Sequence, residues 1–299
     1  MTAVTPAIGA GPRFEPALMR RKLTGTVFYG ACLASIGVLM LTLVVLLTDV
    51  LVRGLPWLDL DFLTSMPSAR PARAGVLTSL VGSLEIGVIV AIFAFPIGVA
   101  AAIYLGEYAS DSRLNRLLQA NISNLAGVPS IIYGLLGLAV FVRLLTLGPT
   151  VLAGALTLTL LILPVVIIAS IEALKAVPHA QREGAYALGA SRWQMVRRSV
   201  LPAAAPGIMT GIILAMARAI GEAAPLIIIG AFTFVQFVPN PISGQYTVLP
   251  IQIYGWAVRP QDDFQGVSAA AIIVILVLML ILNALALIVR ARLSRHIQW

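Results

Sequence analysis

The chain has 299 residues, of which 60% are hydrophobic and 11% are charged, and its mean hydropathy is +0.98. These values exclude an ordinary soluble globular domain. The net charge of +8 would suit a nucleic-acid-binding protein. Basic residues of a membrane protein gather on its cytoplasmic side, however, so their position along the chain decides what the charge means.

Residues that would support catalysis or metal binding are scarce. The single cysteine, Cys32, can form no intrachain disulfide, and the two histidines, His179 and His296, lie far apart without cysteine neighbours. The HExxH and GxSxG motifs are absent, and neither Lys22 nor Lys175 follows a glycine as a nucleotide-binding P-loop requires. We therefore expect no catalytic residues, no cofactor and no metal. Any ATP that drives this protein must be hydrolysed by another chain.

Six apolar runs are each near or above the ~20 residues that cross a bilayer. They cover about Val27–Leu51, Leu77–Leu105, Leu118–Leu145, Val151–Ile171, Ile208–Phe232 and Val267–Val289. Residues 1–24 carry four basic residues and no apolar core, which predicts a retained cytoplasmic tail rather than a cleavable signal. We expect a first transmembrane helix and outer loop over 25–74, a transmembrane domain over 75–292 and a cytoplasmic tail over 293–299.

The lysine and arginine residues predict the orientation. With the N-terminus inside, fourteen of them fall on inner segments and five on outer ones, while Arg218 lies in a run. This bias predicts that both termini and the segment Glu183–Ile208 are cytoplasmic. Topology then explains the positive charge, and nucleic acid is not expected as a partner.

The segment 183–208 is the most polar long stretch in a chain that is otherwise nearly all apolar. It predicts two short helices joined at Gly189, because glycine best tolerates the left-handed position after a helix. Ser191 and Gln194 have the spacing of a capping box, and Leu201-Pro202 is expected to end the second helix. The mixed apolar and cationic face suits either a loop on anionic headgroups or a docking surface for a soluble partner.

The third run contains Gly127-Val128-Pro129-Ser130 near its start, followed by Tyr133-Gly134. Glycine and proline at membrane depth are tolerated only where neighbouring helices or a water-filled cavity satisfy the freed backbone groups. A helix-packing kink and a pore-lining break both fit this pattern, and the sequence leaves the choice open.

The fifth run combines small residues with two ionisable ones. Four small residues recur at every fourth position and predict close helix contact, namely Gly207, Gly211, Ala215 and Ala219. Arg218 and Glu222 are four apart, so they are expected to share a helix face and could pair. A self-neutralising structural pair is one interpretation. We favour a solute-pathway role, because ionisable residues in spans are usually functional, and a guanidinium favours an anion.

Three further features lie outside these motifs. The stretch Val235–Phe264 is rich in proline and glycine, and its apolar core at 248–254 is too short to span, so it predicts a re-entrant or outer-surface helix. Glu85 is expected near the outer surface. Asn283, in the last run, is a candidate donor of an interhelical hydrogen bond.

The segment around Gly189 resembles the EAA loop of ABC importer permeases, whose pattern is E-A-A, three residues, glycine and a later leucine-proline. Gly184 stands where alanine is usual. In that family the loop forms coupling helices that sit in a groove of the ATP-binding subunit. The resemblance therefore implies a coupling loop over 172–207. The implied coupling positions are Glu183, Ala185, Leu188, Gly189, Ala190, Trp193, Arg197, Leu201 and Pro202.

A second resemblance covers about residues 75–292. The stretches 217–226 (ARAIGEAAPL) and 127–135 (GVPSIIYGL) look like the permeases of phosphate importers, and the Ala-Pro-Leu ending looks like their PstA type. The resemblance implies a type I ABC importer permease, an all-α polytopic protein of the bacterial cell (inner) membrane with about six transmembrane helices. The implied substrate-pathway residues are Arg218, Glu222, Ser130 and Tyr133.

The implied function is that of a non-catalytic permease subunit in an ATP-driven phosphate importer. Its implied partners are a second permease subunit of the PstC type, two ATP-binding subunits, an extracytoplasmic phosphate-binding protein and membrane lipid. A permease for another oxyanion or nutrient is the nearest alternative. A secondary transporter would need paired interrupted spans in an inverted repeat, and the sequence shows no clear repeat.

Overall fold

The computed structural model describes residues 18–232, 234–240 and 244–294. The predicted tails lie largely outside this range, at residues 1–17 and 295–299. The chain divides into two compact units, one ending at Asp49 and one beginning at Val50. In the described part, the first unit consists of residues 18–49 of a single helix.

Helices account for nearly all regular structure in the described residues, and no strand occurs among them. This confirms the all-α prediction. The α-helices are α1 Leu18–Gly54, α2 Leu60–Thr64, α3 Leu77–Ile103, α4 Arg113–Ala126, α5 Ser130–Gly137, α6 Val151–Lys175, α7 His179–Ala187, α8 Arg192–Met195, α9 Leu201–Gly221, α10 Ala224–Ile229, α11 Leu249–Ala257 and α12 Asp263–Ser294. Three π-helical segments, Tyr104–Tyr108, Leu138–Leu144 and Val196–Val200, follow α3, α5 and α8.

Five stretches of the described chain are long and apolar enough to cross a membrane, and α4 with α5 makes a sixth if that pair is one span. The two helices of the pair meet at an angle of 101°. Their break falls at Gly127–Pro129, as the sequence predicts. Each of these stretches overlaps one of the six apolar runs. Helix α11, nine residues long, is too short to cross and matches the short helix expected there.

Helix α6 is the centre of the second unit, and about two thirds of the residues in its most apolar stretch are buried. Small residues let its neighbours approach closely. A Cβ built on Gly211 of α9 would lie 2.3 Å from the Cβ of Ala169, and one on Gly207 would lie 2.8 Å from the Cβ of Ala173. The small-residue face of α9 is therefore confirmed as a packing face against α6.

The prediction that Leu201-Pro202 ends a helix is wrong. Leu201 keeps helical angles (φ −64°, ψ −44°), and the chain runs from α8 through the π-helical segment Val196–Val200 into α9. Pro202 falls in the first turn of α9, where a missing N–H costs little. The wider π-turn changes the hydrogen-bond register just before the proline, so the helix can continue.

The prediction of one continuous span over 208–232 is also wrong. Helix α9 ends at Gly221, Glu222 is extended (φ −87°, ψ 121°), and α10 begins at Ala224. Pro225 explains the end point, because its ring would clash with the carbonyl group of Gly221, four residues earlier in a continuous helix.

Candidate functional site

The segment predicted to contact an ATP-binding subunit forms two short helices with a tight turn between them. We name residues 179–200 the α7–α8 unit. The N–H of Ala190 donates to the carbonyl oxygen of Ala185 (3.1 Å), and that of Gly189 donates to Tyr186 (2.9 Å). This is the Schellman arrangement, with Gly189 left-handed at φ +77° as predicted.

The second helix of the unit begins at a complete capping box. The hydroxyl oxygen of Ser191 accepts from the N–H of Gln194 (3.4 Å), and the side-chain carbonyl of Gln194 accepts from the N–H of Ser191 (2.9 Å). This confirms the capping prediction. Two strong local signals therefore fix the direction in which α8 leaves the turn.

The α7–α8 unit has one exposed and one buried side. Leu188 is 91% exposed and Trp193 55%, although both are large and apolar. Of the other predicted coupling residues, Glu183, Gly189, Arg197 and Pro202 are exposed, whereas Ala185, Ala190 and Leu201 are partly buried. Exposed apolar side chains beside a basic residue are what a docking surface for a protein partner requires.

The buried side of the unit contacts the ends of other helices. Met195, Val196 and Val200 belong to one apolar cluster with Ile171 and Leu174 of α6. The cluster also contains Ala102 of α3 and Leu105 of the π-helical segment that follows α3. The α7–α8 unit is thus packed onto the chain's own spans while its other side stays open.

The structure adds an ion pair that the sequence reasoning missed. Arg182 of α7 lies 2.7 Å from a carboxylate oxygen of Glu107, in the π-helical segment after α3. The two side chains are 15% and 7% exposed. Arg192 also contacts this segment, because its guanidinium donates to the Glu107 carbonyl oxygen and lies 5.0 Å from the ring centre of Tyr108. No local motif signals this pair, since 75 residues separate its members.

The substrate-pathway residues lie around two breaks in the spans. One break, Gly127–Pro129, separates α4 from α5, and the other, at residues 222–223, separates α9 from α10. Helices α5 and α10 meet directly, because a Cβ on Gly134 would lie 2.7 Å from the Cα of Pro225. The two broken segments are therefore brought together in the fold.

Tyr133 bridges the first break. Its buried hydroxyl group donates to the carbonyl oxygen of Leu125 at 2.8 Å, across the turn between α4 and α5. The same carbonyl oxygen accepts from the N–H of Val128 at 3.1 Å, so the tyrosine adds a second bond across the break. Ser130, at the start of α5, is partly exposed.

The expectation that Arg218 and Glu222 share a helix face is wrong. No ion pair joins them in the described chain, because α9 ends before Glu222 and the fourfold helical spacing no longer applies. Arg218 is exposed and Glu222 partly so. Glu85, nine positions into α3, is partly exposed as well, and its Oε2 atom has no hydrogen-bond partner in the described residues.

Comparison with known families resolves the class of protein. Residues 94–295 match the family described as binding-protein-dependent transport system inner membrane component. The match covers more than half of the chain. The chain belongs to this family. It is therefore a membrane-spanning permease subunit, and the family name implies that a solute-binding protein takes part in transport.

Curated relatives cover almost the whole permease. A probable ABC transporter permease protein, YqgI of Bacillus subtilis, is 31% identical over 90% of this chain and 95% of its own. The phosphate transport system permease protein PstA 1 of Mycobacterium tuberculosis is 34% identical over 92% and 91%. The PstA protein of Haemophilus influenzae is 33% identical over 88% and 92%.

Solved structures agree with the fold of the permease. A bacterial ABC transporter involved in alginate import gives a TM-score of 0.64 at 15% identity, covering 92% of this chain and 98% of the other. The MetNI methionine ABC transporter in an inward-facing conformation gives 0.55 at 21% identity, covering 75% and 95%. The predicted type I importer architecture is confirmed.

Proposed function

We propose that this permease carries inorganic phosphate and forms one half of the pathway of an ATP-driven importer. The observation that carries the proposal is the exposed guanidinium group of Arg218, on a helix apolar enough to cross the membrane. A charged side chain in a span faces a water-filled path or a partner. A guanidinium binds phosphate oxygens through two parallel hydrogen bonds.

The relatives support phosphate over other anions. Two proteins named as phosphate transport permeases are similar to this chain over roughly nine tenths of its length. In the proposed assembly, Arg218 and Glu222 contact the solute. Ser130 and Tyr133 line the break beside them. Arg218 supplies the positive charge, and Glu222 limits how tightly the anion is held.

The proposed assembly contains a second permease subunit of the PstC type, two ATP-binding subunits and an extracytoplasmic phosphate-binding protein. The exposed side of the α7–α8 unit is the proposed contact with one ATP-binding subunit. This arrangement places both termini and the unit in the cytoplasm of a bacterial cell. ATP-driven closure of the ATP-binding subunits would then favour one of two global states of the permease.

The test is reconstitution of the purified complex in vesicles, with the binding protein on the side of uptake and ATP on the other. We expect ATP-dependent accumulation of phosphate, and little accumulation of sulfate or molybdate. Preferred uptake of another anion would contradict the proposed solute. Accumulation of phosphate by this subunit alone, with no ATP-binding partner, would contradict the proposed mechanism.

A further inference from the structure

We infer that Glu107 and Arg182 form the internal link through which movement of the α7–α8 unit reaches α3, and thereby determine how much solute is moved for each ATP hydrolysed. The inference rests on the proposed function, because it assigns a coupling role within the same assembly. Both are positioning residues, since neither lies at the solute site.

Arg182 makes several hydrogen bonds at once. Its Nη2 donates to Glu107 Oε1 (2.7 Å) and to the carbonyl oxygen of Leu174 (2.9 Å). Its Nη1 donates to the carbonyl oxygen of Val177 (2.7 Å), and its Nε lies 3.3 Å from both carboxylate oxygens. One side chain thus joins α7, the end of α6 and the segment after α3. The planar fork of arginine suits this task, whereas lysine could not reproduce it.

Glu107 lies in a π-helical turn. The N–H of Ala109 donates to the carbonyl oxygen of Tyr104 at 2.8 Å, which closes a π-turn at the end of α3. A π-turn changes the direction of the side chains that follow it, and such turns are frequent at functional sites. Here Glu107 lies buried against the α7–α8 unit.

Burying the ion pair of Glu107 and Arg182 has an energetic cost. Removing two charges from water costs more than burying apolar side chains of the same size, so a buried ion pair is a poor device for stability alone. Such a pair does impose one geometry on the elements it joins, because a displaced partner leaves an uncompensated buried charge. Arg192 adds a second contact to the same segment, at the Glu107 carbonyl oxygen and the Tyr108 ring.

Helix α3 connects this pair to the region of the proposed solute site. Helix α3 runs unbroken from Leu77 to Ile103 and ends next to Glu107. Nearer the middle of α3, a Cβ on Gly87 would lie 3.8 Å from the side chains of Met216 and Ile220 in α9. These two residues flank Arg218 in the sequence. The part of α3 from Gly87 to Ile103, about 24 Å at 1.5 Å per residue and with Pro96 inside it, therefore joins the ion pair to the neighbourhood of Arg218.

The test compares two variants in the complete reconstituted complex. Glu107→Gln keeps the size of the side chain and removes its charge. Asp111→Asn is the matched control, because Asp111 lies four residues further on in an exposed pair with Arg116, with side chains 85% and 64% exposed. Three quantities are measured in each preparation: the ATP-binding subunit that co-purifies, the rate of ATP hydrolysis and the anion imported per ATP.

We expect Glu107→Gln to assemble and hydrolyse ATP while anion import per ATP falls roughly fivefold or more, as the loss of a coupling free energy of ordinary size requires. Asp111→Asn should keep the wild-type ratio. An unchanged ratio in Glu107→Gln would overturn the inference. If that variant does not assemble, Glu107→Asp, which keeps the charge, decides the matter, and we expect it to assemble with a reduced ratio. A wild-type ratio in Glu107→Asp, or failure of both to assemble, would show a purely structural pair.

Uptake is measured for phosphate, sulfate and molybdate in parallel. The ratio of import to hydrolysis is then available for whichever anion the wild-type complex moves. Absence of phosphate uptake by the wild type would contradict the proposed solute, whereas equal ratios in wild type and Glu107→Gln would contradict only the role of the ion pair.

Discussion

Gly134 of α5 packs directly against Pro225 at the start of α10. A Cβ on Gly134 would lie 2.7 Å from the Cα of Pro225 and 3.0 Å from its carbonyl oxygen. Each of these short helices follows a break in a span, so the two broken segments touch with no side chain of residue 134 between them. The contact fixes Tyr133 and the residues after Glu222 relative to one another.

Replacing Gly134 by alanine should force α5 away from α10, because the added methyl group meets backbone atoms that cannot rotate aside. We expect a loss of about 1–3 kcal/mol in stability, the usual effect of overpacking. The measurement is the melting temperature of the purified permease. Gly127→Ala is the control, since its nearest contact would be 3.5 Å away and its φ of −91° suits alanine. Equal melting temperatures for the two variants would refute the close approach.

Replacing Arg218 by glutamine should strongly reduce uptake and leave assembly intact. The side chain is exposed and makes no hydrogen bond or ion pair in the part of the chain that the structure describes, so its removal should cost little stability. Loss of one charge-assisted hydrogen bond to the anion should lower uptake roughly tenfold or more. Arg116→Gln, at an exposed position outside the site, is the control. Normal uptake by Arg218→Gln would remove the assigned role.

Replacing Gly189 by valine should weaken binding of the ATP-binding subunit. Nothing lies within 4 Å of a Cβ at this position, so the effect comes from the backbone alone. A left-handed residue other than glycine costs about 1–2 kcal/mol, and a branched side chain resists it most. The amount of ATP-binding subunit that co-purifies is the measurement.

The control for Gly189→Val is Gly184→Ala in the same unit. Gly184 lies inside α7, and a Cβ there would also meet nothing within 4 Å. Alanine should favour the helix by about 1 kcal/mol and leave binding unchanged. Equal binding by the valine and alanine variants would show that the turn at Gly189 does not shape the docking surface.

Local signals explain which predictions were confirmed. Gly189, Ser191 and Gln194 act through hydrogen bonds within a few residues, so their pattern is enough to predict the turn and the cap. The small residues of α9 are informative for a similar reason, because a period of four is the geometry of one helix face.

Failures of prediction have equally specific causes. The spacing of Arg218 and Glu222 predicts a pair only in a continuous helix, and Pro225 ends that helix before Glu222. At Pro202 a helix end was predicted and the helix continues, because a π-turn precedes the proline. The pair of Glu107 and Arg182 depends on the packing of α3 against the α7–α8 unit, which no short-range pattern encodes.

A last prediction concerns Tyr246, whose side chain is fully buried beside Gly154. Its hydroxyl group has no hydrogen-bond partner in the described chain. Burial raises the pKa of the Tyr246 phenol, so the folded protein keeps it neutral while the unfolded chain ionises above its usual pKa of about 10. Ionisation of this group therefore does not affect the stability of the permease below pH ~10. Above that value the unfolded chain loses the proton first, so the permease becomes less stable as the pH rises.

Tyr246→Phe should accordingly be as stable as the wild type or more stable, by up to about 1–3 kcal/mol, because it removes an unsatisfied buried group. It should also reduce the loss of stability at alkaline pH. Gly154→Ala should destabilise the permease, since its Cβ would lie 2.5 Å from the Tyr246 hydroxyl oxygen. The double variant should recover part of that loss, because the nearest remaining ring atom is 3.0 Å away. A lower melting temperature for Tyr246→Phe alone would mean that the hydroxyl group is hydrogen-bonded in the protein, and absence of any recovery in the double variant would contradict the close approach to Gly154.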